Sequence, residues 1–475
     1  MSPDLGLPAA MSRVALIAPL PRLRAMLVAV ARSGVVQFIG PQVAAQGEAV
    51  EALRRLERDR PPAEAASPML LETAREPAEM EREGRRDLLA GEVELTRRAQ
   101  TATHHGGFAV LVGWVPTAEL TGLAETLATA GAAVVELPRP TLVQPPTLLR
   151  TRGPARWFAP LIATYGAPRY ADVDPTPFAA LSFVFMFGMM FGDLGHGLLL
   201  VALGLALRRA TRPGGGARWA RLAGMRPLWP FAVAGGVVAS LFGLLYGEAF
   251  GPTGIAPTLW IAPLDHPTEL LGVAVGVGAL LLAASYALGT INRLKESGPA
   301  AALHAPSGIA GFAVFAGGGL LALGLYLGAT ALLIAAGAVT GTGIALLFGG
   351  FAAEAGHSGS AIAQALIEVL DAVIRVGANL ISFTRLAAFG LMHAALGLVV
   401  LDGARSLWHG GPAGIAAAAI LFLLGTAAAF ALEALVAGVQ AMRLEYYELF
   451  SRVFAGEGES FFPWRIPVTG RASPT

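Results

Sequence analysis

The stretch Asn379-Leu-Ile-Ser-Phe-Thr-Arg-Leu-Ala-Ala-Phe-Gly-Leu-Met-His393 lies inside an apolar run, Ala361–Leu401. A helix needs only about 20 such residues to cross the hydrocarbon core of a bilayer. Other apolar runs flank it: Phe178–Leu207, Leu228–Phe250, Leu270–Ile291, Gly308–Leu327, Thr330–Phe351 and Ala413–Phe450. The chain of 475 residues is 55% apolar and 14% charged, whereas soluble proteins carry roughly 25% charged residues. The composition therefore predicts an α-helical polytopic membrane protein.

Composition also excludes several chemistries. The 34 basic and 33 acidic residues nearly cancel, which argues against a nucleic-acid partner. Cysteine is absent, so disulfides, thiolate metal sites and cysteine nucleophiles are excluded. The one lysine, Lys295, precedes Glu296, where a phosphate-cradling loop requires Gly-Lys-Ser/Thr. The Met186–Met190 stretch reads as packing filler, and neither a cofactor box nor a metal site is expected.

Charge placement sets the domain organisation. More than half of the charged residues lie in residues 1–156, a third of the chain. This predicts a cytoplasmic domain at 1–156, a linker at 157–177, a transmembrane domain at 178–450 and a cytoplasmic tail at 451–475. Arg13 and Pro19–Arg24 interrupt the first apolar run, so the start does not read as a signal peptide. Strand patterns at Arg13–Pro19 and Gly34–Ile39 flank an amphipathic stretch, Arg22–Ala31. Gly107–Trp114, Ala118–Ala130 and Ala132–Leu137 repeat that order. Two such units predict one small α/β sheet with helices on a face. Between them, Glu48–Thr103 alternates Arg and Glu and is broken at Pro61 and Pro62. It reads as two antiparallel helices, either a solvated hairpin or a docking arm for a partner.

Arginine placement orients the membrane segment. The 208–226 loop carries Arg208, Arg209, Arg212, Arg218, Arg221 and Arg226 without an acid and is expected inside. The 251–267 loop has Asp265 but no Lys or Arg, and is expected outside. Arg293 and Lys295 mark the next inner end, and the tail with Arg452, Arg465 and Arg471 the last. With the N-terminal domain also inside, Phe178–Leu207 must cross twice, as two short helices joined at Gly192–Gly197. That makes about eight spans, the last two long and tilted, with both termini cytoplasmic. Gly and Ala in Gly272–Ala284, Gly308–Gly328 and Ala413–Ala431 favour close helix packing.

Charged residues inside the apolar runs are the candidate functional groups, because one arginine at a span centre costs roughly 2.5–3.5 kcal/mol on insertion scales. Arg385 lies deep in its run, and His393 is eight residues on, about 80° around the helix. A polar stripe with Ser382 and Asn379 is expected, against the alternative of an arginine that pairs locally. In the last run Glu433 and Gln440 share a face and Arg443 follows. These read as part of an ion path or as a structural Glu433–Arg pair. Glu368, Asp371 and Arg375 stand at helical spacing. Asp371–Arg375 suits a local salt bridge, while Glu368 is a candidate for a proton inlet. Asp193 and His196 mark the first hairpin, as a turn at the outer surface or an outer proton exit.

Several stretches match one family in order. They are Gly113-Trp-Val-Pro116, Tyr165-Gly-Ala-Pro-Arg-Tyr-Ala-Asp-Val-Asp-Pro175 and Met190-Phe-Gly-Asp-Leu-Gly-His-Gly197. Ser382-Phe-Thr-Arg-Leu386 follows with Ala394-Ala-Leu396. Glu433 through Arg443 runs into Glu445-Tyr-Tyr-Glu-Leu-Phe450, and Gly456-Glu-Gly-Glu-Ser-Phe-Phe-Pro463 closes the set. Over residues 107–464 the chain resembles the a subunit (subunit I) of V-type and A-type rotary ATPases.

The resemblance implies a stationary ion-channel subunit in a bacterial inner membrane, translocating H⁺ or Na⁺ while ATP chemistry occurs on partner chains. Arg385 would face the carboxylate-bearing proteolipid ring, Arg443 would support its field, and Glu433 and His393 would belong to the half-channels. Implied partners are the proteolipid ring, peripheral stalk subunits, the central-stalk d subunit, the catalytic head indirectly, and lipid. Family N-terminal domains are usually longer, with a second globular lobe. Here the hairpin fits within Glu48–Thr103, so the resemblance implies a member lacking that lobe. The alternative function is a stand-alone secondary ion transporter, whose usual inverted repeats are not found here.

Overall fold

A computed structural model describes residues 6–41, 43–59, 66–139, 143–210, 225, 227–355 and 359–469. The chain forms two compact units: one from the described part of Pro8–Leu149 with that of Gly458–Thr475, the other from Arg150–Glu457 with Gly6 and Leu7.

In the first unit, β1 (Met11–Pro19), α1 (Leu23–Ser33) and β2 (Gln37–Phe38) form one strand–helix–strand module. The charged insert carries α2 (Glu48–Asp59), β3 (Leu70–Leu71), α3 (Pro77–Arg82) and α4 (Arg86–Gln100). After β4 (Thr103–His105), a second module follows as β5 (Phe108–Pro116), α5 (Leu120–Thr129) and β6 (Ala133–Leu137). The strands order as β2-β5-β1-β6, all pairs antiparallel, with β4 alongside β5. This is the split βαβ arrangement of ferredoxin-like domains. Val14, Leu16, Met26, Leu27, Leu111, Leu123 and Leu127 fill the core between sheet and helices. The insert is more elaborate than two helices. A third short helix and β3 are present, with Ala52, Leu71, Met80, Leu88 and Leu89 as its own small core. Pro61 and Pro62 lie outside the described residues.

Residues 458–469 belong to this unit rather than trailing as a separate tail. β7 (Val468–Thr469) pairs in parallel with β3, and the Trp464 N–H donates to Val36 O at 2.8 Å. Unpaired strand edges carry backbone groups that need partners, and the returning segment supplies them.

In the second unit, residues 157–177, expected as a linker, include the helix α6 (Ala159–Tyr165). The hairpin α7 (Thr176–Met190) and α8 (Leu194–Ala210) follows. Then come α9 (Trp229–Tyr246), α10 (Pro267–His304), α11 (Ile309–Leu327) and α12 (Thr330–Ala355). The last are α13 (Gly359–Ser382), α14 (Thr384–Trp408) and α15 (Gly411–Arg443), with a π-helical segment, Leu444–Phe450, and α16 (Ser451–Val453). Among the described residues six helices are long and apolar enough to cross a membrane, α13–α14 counting as one. The other two expected spans, α7 and α8, have 15 and 17 residues. At 1.5 Å per residue each covers only about 22–26 Å. The arginines at 212, 218, 221 and 226 that oriented this region lie outside the described residues, as does part of the 352–360 loop.

Close helix approach explains the glycines of the hairpin. A Cβ on Gly197 would sit 2.7 Å from Gly236 O, and one on Gly243 would sit 2.1 Å from Leu194 N. Only glycine lets these backbones meet, which compensates for the weak driving force for helix association in lipid. The contact of α9 with the α7–α8 turn brings Asp193 against the loop after α9.

Candidate functional site

Two clusters of polar groups lie within the helical unit. The first gathers around the α7–α8 turn. Asp193 is fully buried, so the expected surface turn is corrected: this turn is an interior feature. Its carboxylate replaces the missing helical hydrogen bonds. Oδ1 accepts from the His196 N–H at 2.7 Å and the Phe250 N–H at 3.0 Å, and Oδ2 from the Gly251 N–H at 2.7 Å. Phe250 has φ +55°, uncommon for a bulky residue, and this conformation lies in the loop whose amides face Asp193.

His393 of α14 and Glu433 of α15 enter the same cluster. Glu433 accepts from His393 Nδ1. The other ring nitrogen, Nε2, lies 3.4 Å from Asp193 Oδ2 and 3.8 Å from Glu248 Oε2. The imidazoles of His196 and His393 stand 5.4 Å apart, edge to face. Phe191, Phe250 and Phe430 wall the cluster. Among the described residues, neither ring nitrogen of His196 has a hydrogen-bond partner, nor do His393 Nε2, Glu248 Oε2 and Glu433 Oε1. Asp193, His196 and His393 can bring one ligand atom each within 4.8 Å of the others, so these residues are able to hold a metal ion.

The second cluster surrounds Arg385. α13 and α14 are separated at Phe383, whose buried ring would collide with a Cβ on Gly278 of α10 at 2.3 Å. That anchor positions Arg385 in the first turn of α14. Its guanidinium donates to Gln440 Oε1 at 3.2 Å and to Glu448 Oε1 at 3.2 Å. Residues eight apart on α14 thus meet residues seven apart on α15 in reverse order, Arg385 with Gln440 and His393 with Glu433. An antiparallel helix pair requires that order, and it separates the two levels by about 12 Å. Arg385 and His393 thus share the α14 face toward α15, as two levels of one polar stripe, and Glu433 pairs with a histidine rather than an arginine.

The remaining predicted residues disperse. Ser382 hydroxyl donates back to Ala378 O at 3.1 Å, and the Asn379 carboxamide accepts from Arg452 Nη2 at 2.7 Å in its favoured orientation. Arg443 is exposed and forms no ion pair among the described residues. Arg375 pairs locally with Asp371, and Glu368 accepts from Gln364 at 2.9 Å.

Three carboxylates escaped the sequence reading as candidates. Glu248 sits in Tyr246-Gly-Glu-Ala-Phe250, and its place at the edge of an apolar run was the available signal. Glu448 and Glu445 follow Arg443 within the matching stretch Glu445–Phe450 and were not singled out there. The π-helical segment turns them inward, the kind of local insertion often found at functional sites. Glu445 is fully buried, with Ser182 Oγ 2.8 Å from both its oxygens.

Before α7, Asp172 is buried and accepts from the Arg169 N–H at 2.9 Å. Burial pushes this carboxyl up to about 6. Arg169 bridges Glu296, at 3.0 Å, and Glu457, while Asn292 accepts from the Val173 N–H at 2.9 Å. The motif 165–175 is thereby fixed to α10.

The V-type ATPase 116kDa subunit family matches residues 100–260, a range containing Asp193, His196 and Glu248. The chain is 29% identical over 380 residues to A-type ATP synthase subunit I of Thermococcus kodakarensis, covering 75% of this chain and 54% of that protein. It is 38% identical over 143 residues to the Archaeoglobus fulgidus protein of the same name, covering 30% of this chain and 20% of that one. It is also 33% identical over 159 residues to human V-type proton ATPase 116 kDa subunit a 3, covering 31% and 19% respectively. The chain spans about half the length of the relatives it matches most extensively.

Proposed function

We propose that the chain, which matches the V-type ATPase 116kDa subunit family over residues 100–260 and A-type ATP synthase subunit I over three quarters of its length, is the stationary, ion-conducting membrane subunit of a rotary ATPase. The observation that carries this reading is the setting of Arg385. Its side chain is 24% exposed and tethered on one side by Gln440 and Glu448. The helices on either side of it carry exposed apolar side chains, among them Ile374 and Ile381 of α13 and Leu432 and Leu435 of α15. That surface suits a partner of membrane helices.

A ring of helices each bearing a carboxylate would present its acids to Arg385 in turn. A guanidinium keeps its charge at any working pH, and an opposite charge within a few ångströms lowers a carboxylate's pKa by roughly 1–3 units. Each passing acid would be held ionised, and protons would not pass directly between the two sides. The Asp193–His196–Glu248–His393–Glu433 cluster would line the outer half-channel, with imidazole and carboxylate groups relaying the ion. Glu368, with Ser382 nearer the arginine, would line the inner one, and Arg443 would add positive potential at the ring face. ATP would be hydrolysed or made on partner subunits reached through the central and peripheral stalks. The N-terminal unit and the returning C-terminal segment would lie in the cytoplasm of a bacterial cell.

Arg385→Gln tests this. In a complex shown by native mass spectrometry to retain the ring, ATP-driven ion transport is expected to vanish. Normal transport by the assembled variant would refute the ring-facing role.

A further inference from the structure

We infer that the buried cluster at the α7–α8 turn is a site for a divalent transition-metal ion of the Zn²⁺ class, bound by Asp193, His196 and His393 with Glu248 as fourth ligand. The three first-named residues can bring their donor atoms within 4.8 Å of one another. His393 Nε2 already stands 3.4 Å from Asp193 Oδ2 and 3.8 Å from Glu248 Oε2. Zinc with four ligands at about 2.0–2.2 Å in tetrahedral array requires ligand atoms roughly 3.3–3.6 Å apart. Small side-chain movements close that gap.

Three further features single out a metal. His393 gives its other nitrogen to Glu433, the carboxylate–histidine arrangement that orients metal-binding imidazoles and raises their basicity. His196 is 3% exposed, and neither of its ring nitrogens has a hydrogen-bond partner among the described residues. A buried polar group without a partner is destabilising, and a cation in the cluster would satisfy His196, His393 and Glu248 together. Finally, three carboxylates surround two imidazoles, so the donor set is rich in negative charge. Imidazole with carboxylate suits zinc and its neighbours rather than Mg²⁺ or Ca²⁺. The site is also preorganised, because the Phe250 and Gly251 amides clamp Asp193.

The binding claim stands apart from the proposed function. Its consequence, that a bound metal would plug the outer half-channel, rests on that reading. The test is therefore a binding measurement on the full chain in detergent. It uses a background carrying His104→Ala and His105→Ala, which removes the exposed histidine pair on β4. Chelator-stripped protein is loaded by overnight dialysis with Zn²⁺, and separately by expression in zinc-supplemented medium. Retained metal is then counted by mass spectrometry and its shell read by X-ray absorption.

One zinc per chain is expected, with nitrogen and oxygen ligands at about 2.0–2.1 Å and the scattering signature of two imidazoles. His196→Ala should abolish retention, and Glu433→Gln should weaken it by about 10–100-fold. His196→Gln, which keeps more of the side-chain volume, should also abolish it if His196→Ala folds poorly. No retained zinc by either loading route, or retention unchanged in both His196 variants, would overturn the assignment. Neither result would bear on the Arg385→Gln test.

Discussion

Glu448→Gln should loosen the hold on Arg385, and the size of the effect follows from burial. Glu448 is 7% and Arg385 24% exposed at the side chain, with 3.2 Å between the charged atoms. Breaking a fully buried ion pair by removing one partner costs about 3–5 kcal/mol, whereas exposed pairs contribute about 0–1 kcal/mol. Arg385 is partly exposed and keeps its bond to Gln440, which places the expected cost near 2 kcal/mol. Arg385→Gln and the double variant complete a cycle, for which a coupling of about 1–2 kcal/mol is expected. The assay is equilibrium unfolding of the purified chain in mixed micelles. Gln440→Leu serves as a comparison that removes the neutral partner. Additivity of the Arg385 and Glu448 effects to within about 0.5 kcal/mol would refute the claim that Glu448 balances this arginine.

Other consequences can be checked the same way. Ser182→Ala leaves the fully buried Glu445 without its hydroxyl partner, so a loss of about 1–3 kcal/mol is expected. An unchanged unfolding midpoint would show that Glu445 has another source of stabilisation. Asp172, raised from 3.8 to about 6 by burial, binds its proton more tightly folded than unfolded. Its contribution is complete below pH 3.8 and fades as pH rises through 6. The expected loss is up to about 3 kcal/mol, and Asp172→Asn should flatten this part of the pH profile. A profile identical in wild type and variant would remove Asp172 from the account.

Residue chemistry announced itself where it was costly. Arg385, His393 and Glu433 stand out because ionisable groups are expensive inside apolar helices whatever the fold, and the structure finds all three partnered. The two strand–helix–strand modules were legible from alternation and turn signals. Their union in one sheet was expected too, but not the strand order, because that depends on pairings between segments about a hundred residues apart. Glu448 and Glu445 were hidden for a local reason. An assumed 3.6-residue period places side chains on a face that the π-helical segment rotates away from. Glu248 was hidden for a distant one: its importance comes from His393, 145 positions along the chain, as measured by their 3.8 Å approach.

Taken alone, the sequence determined that this is a polytopic membrane protein with a charged α/β domain, since hydropathy and charge are local properties summed along the chain. It also determined which ionisable groups had to find partners. Tertiary structure decided which partners those were. The glycine contacts between α8 and α9 set Asp193 against the Phe250–Gly251 loop, and the antiparallel register of α14 and α15 put His393 with Glu433 and Arg385 with Gln440. The returning C-terminal strand likewise completed a domain begun at the other end of the chain. A helical period fixes which residues share a face. Only packing fixes what that face meets, because backbone approach distances and register depend on every element in contact at once.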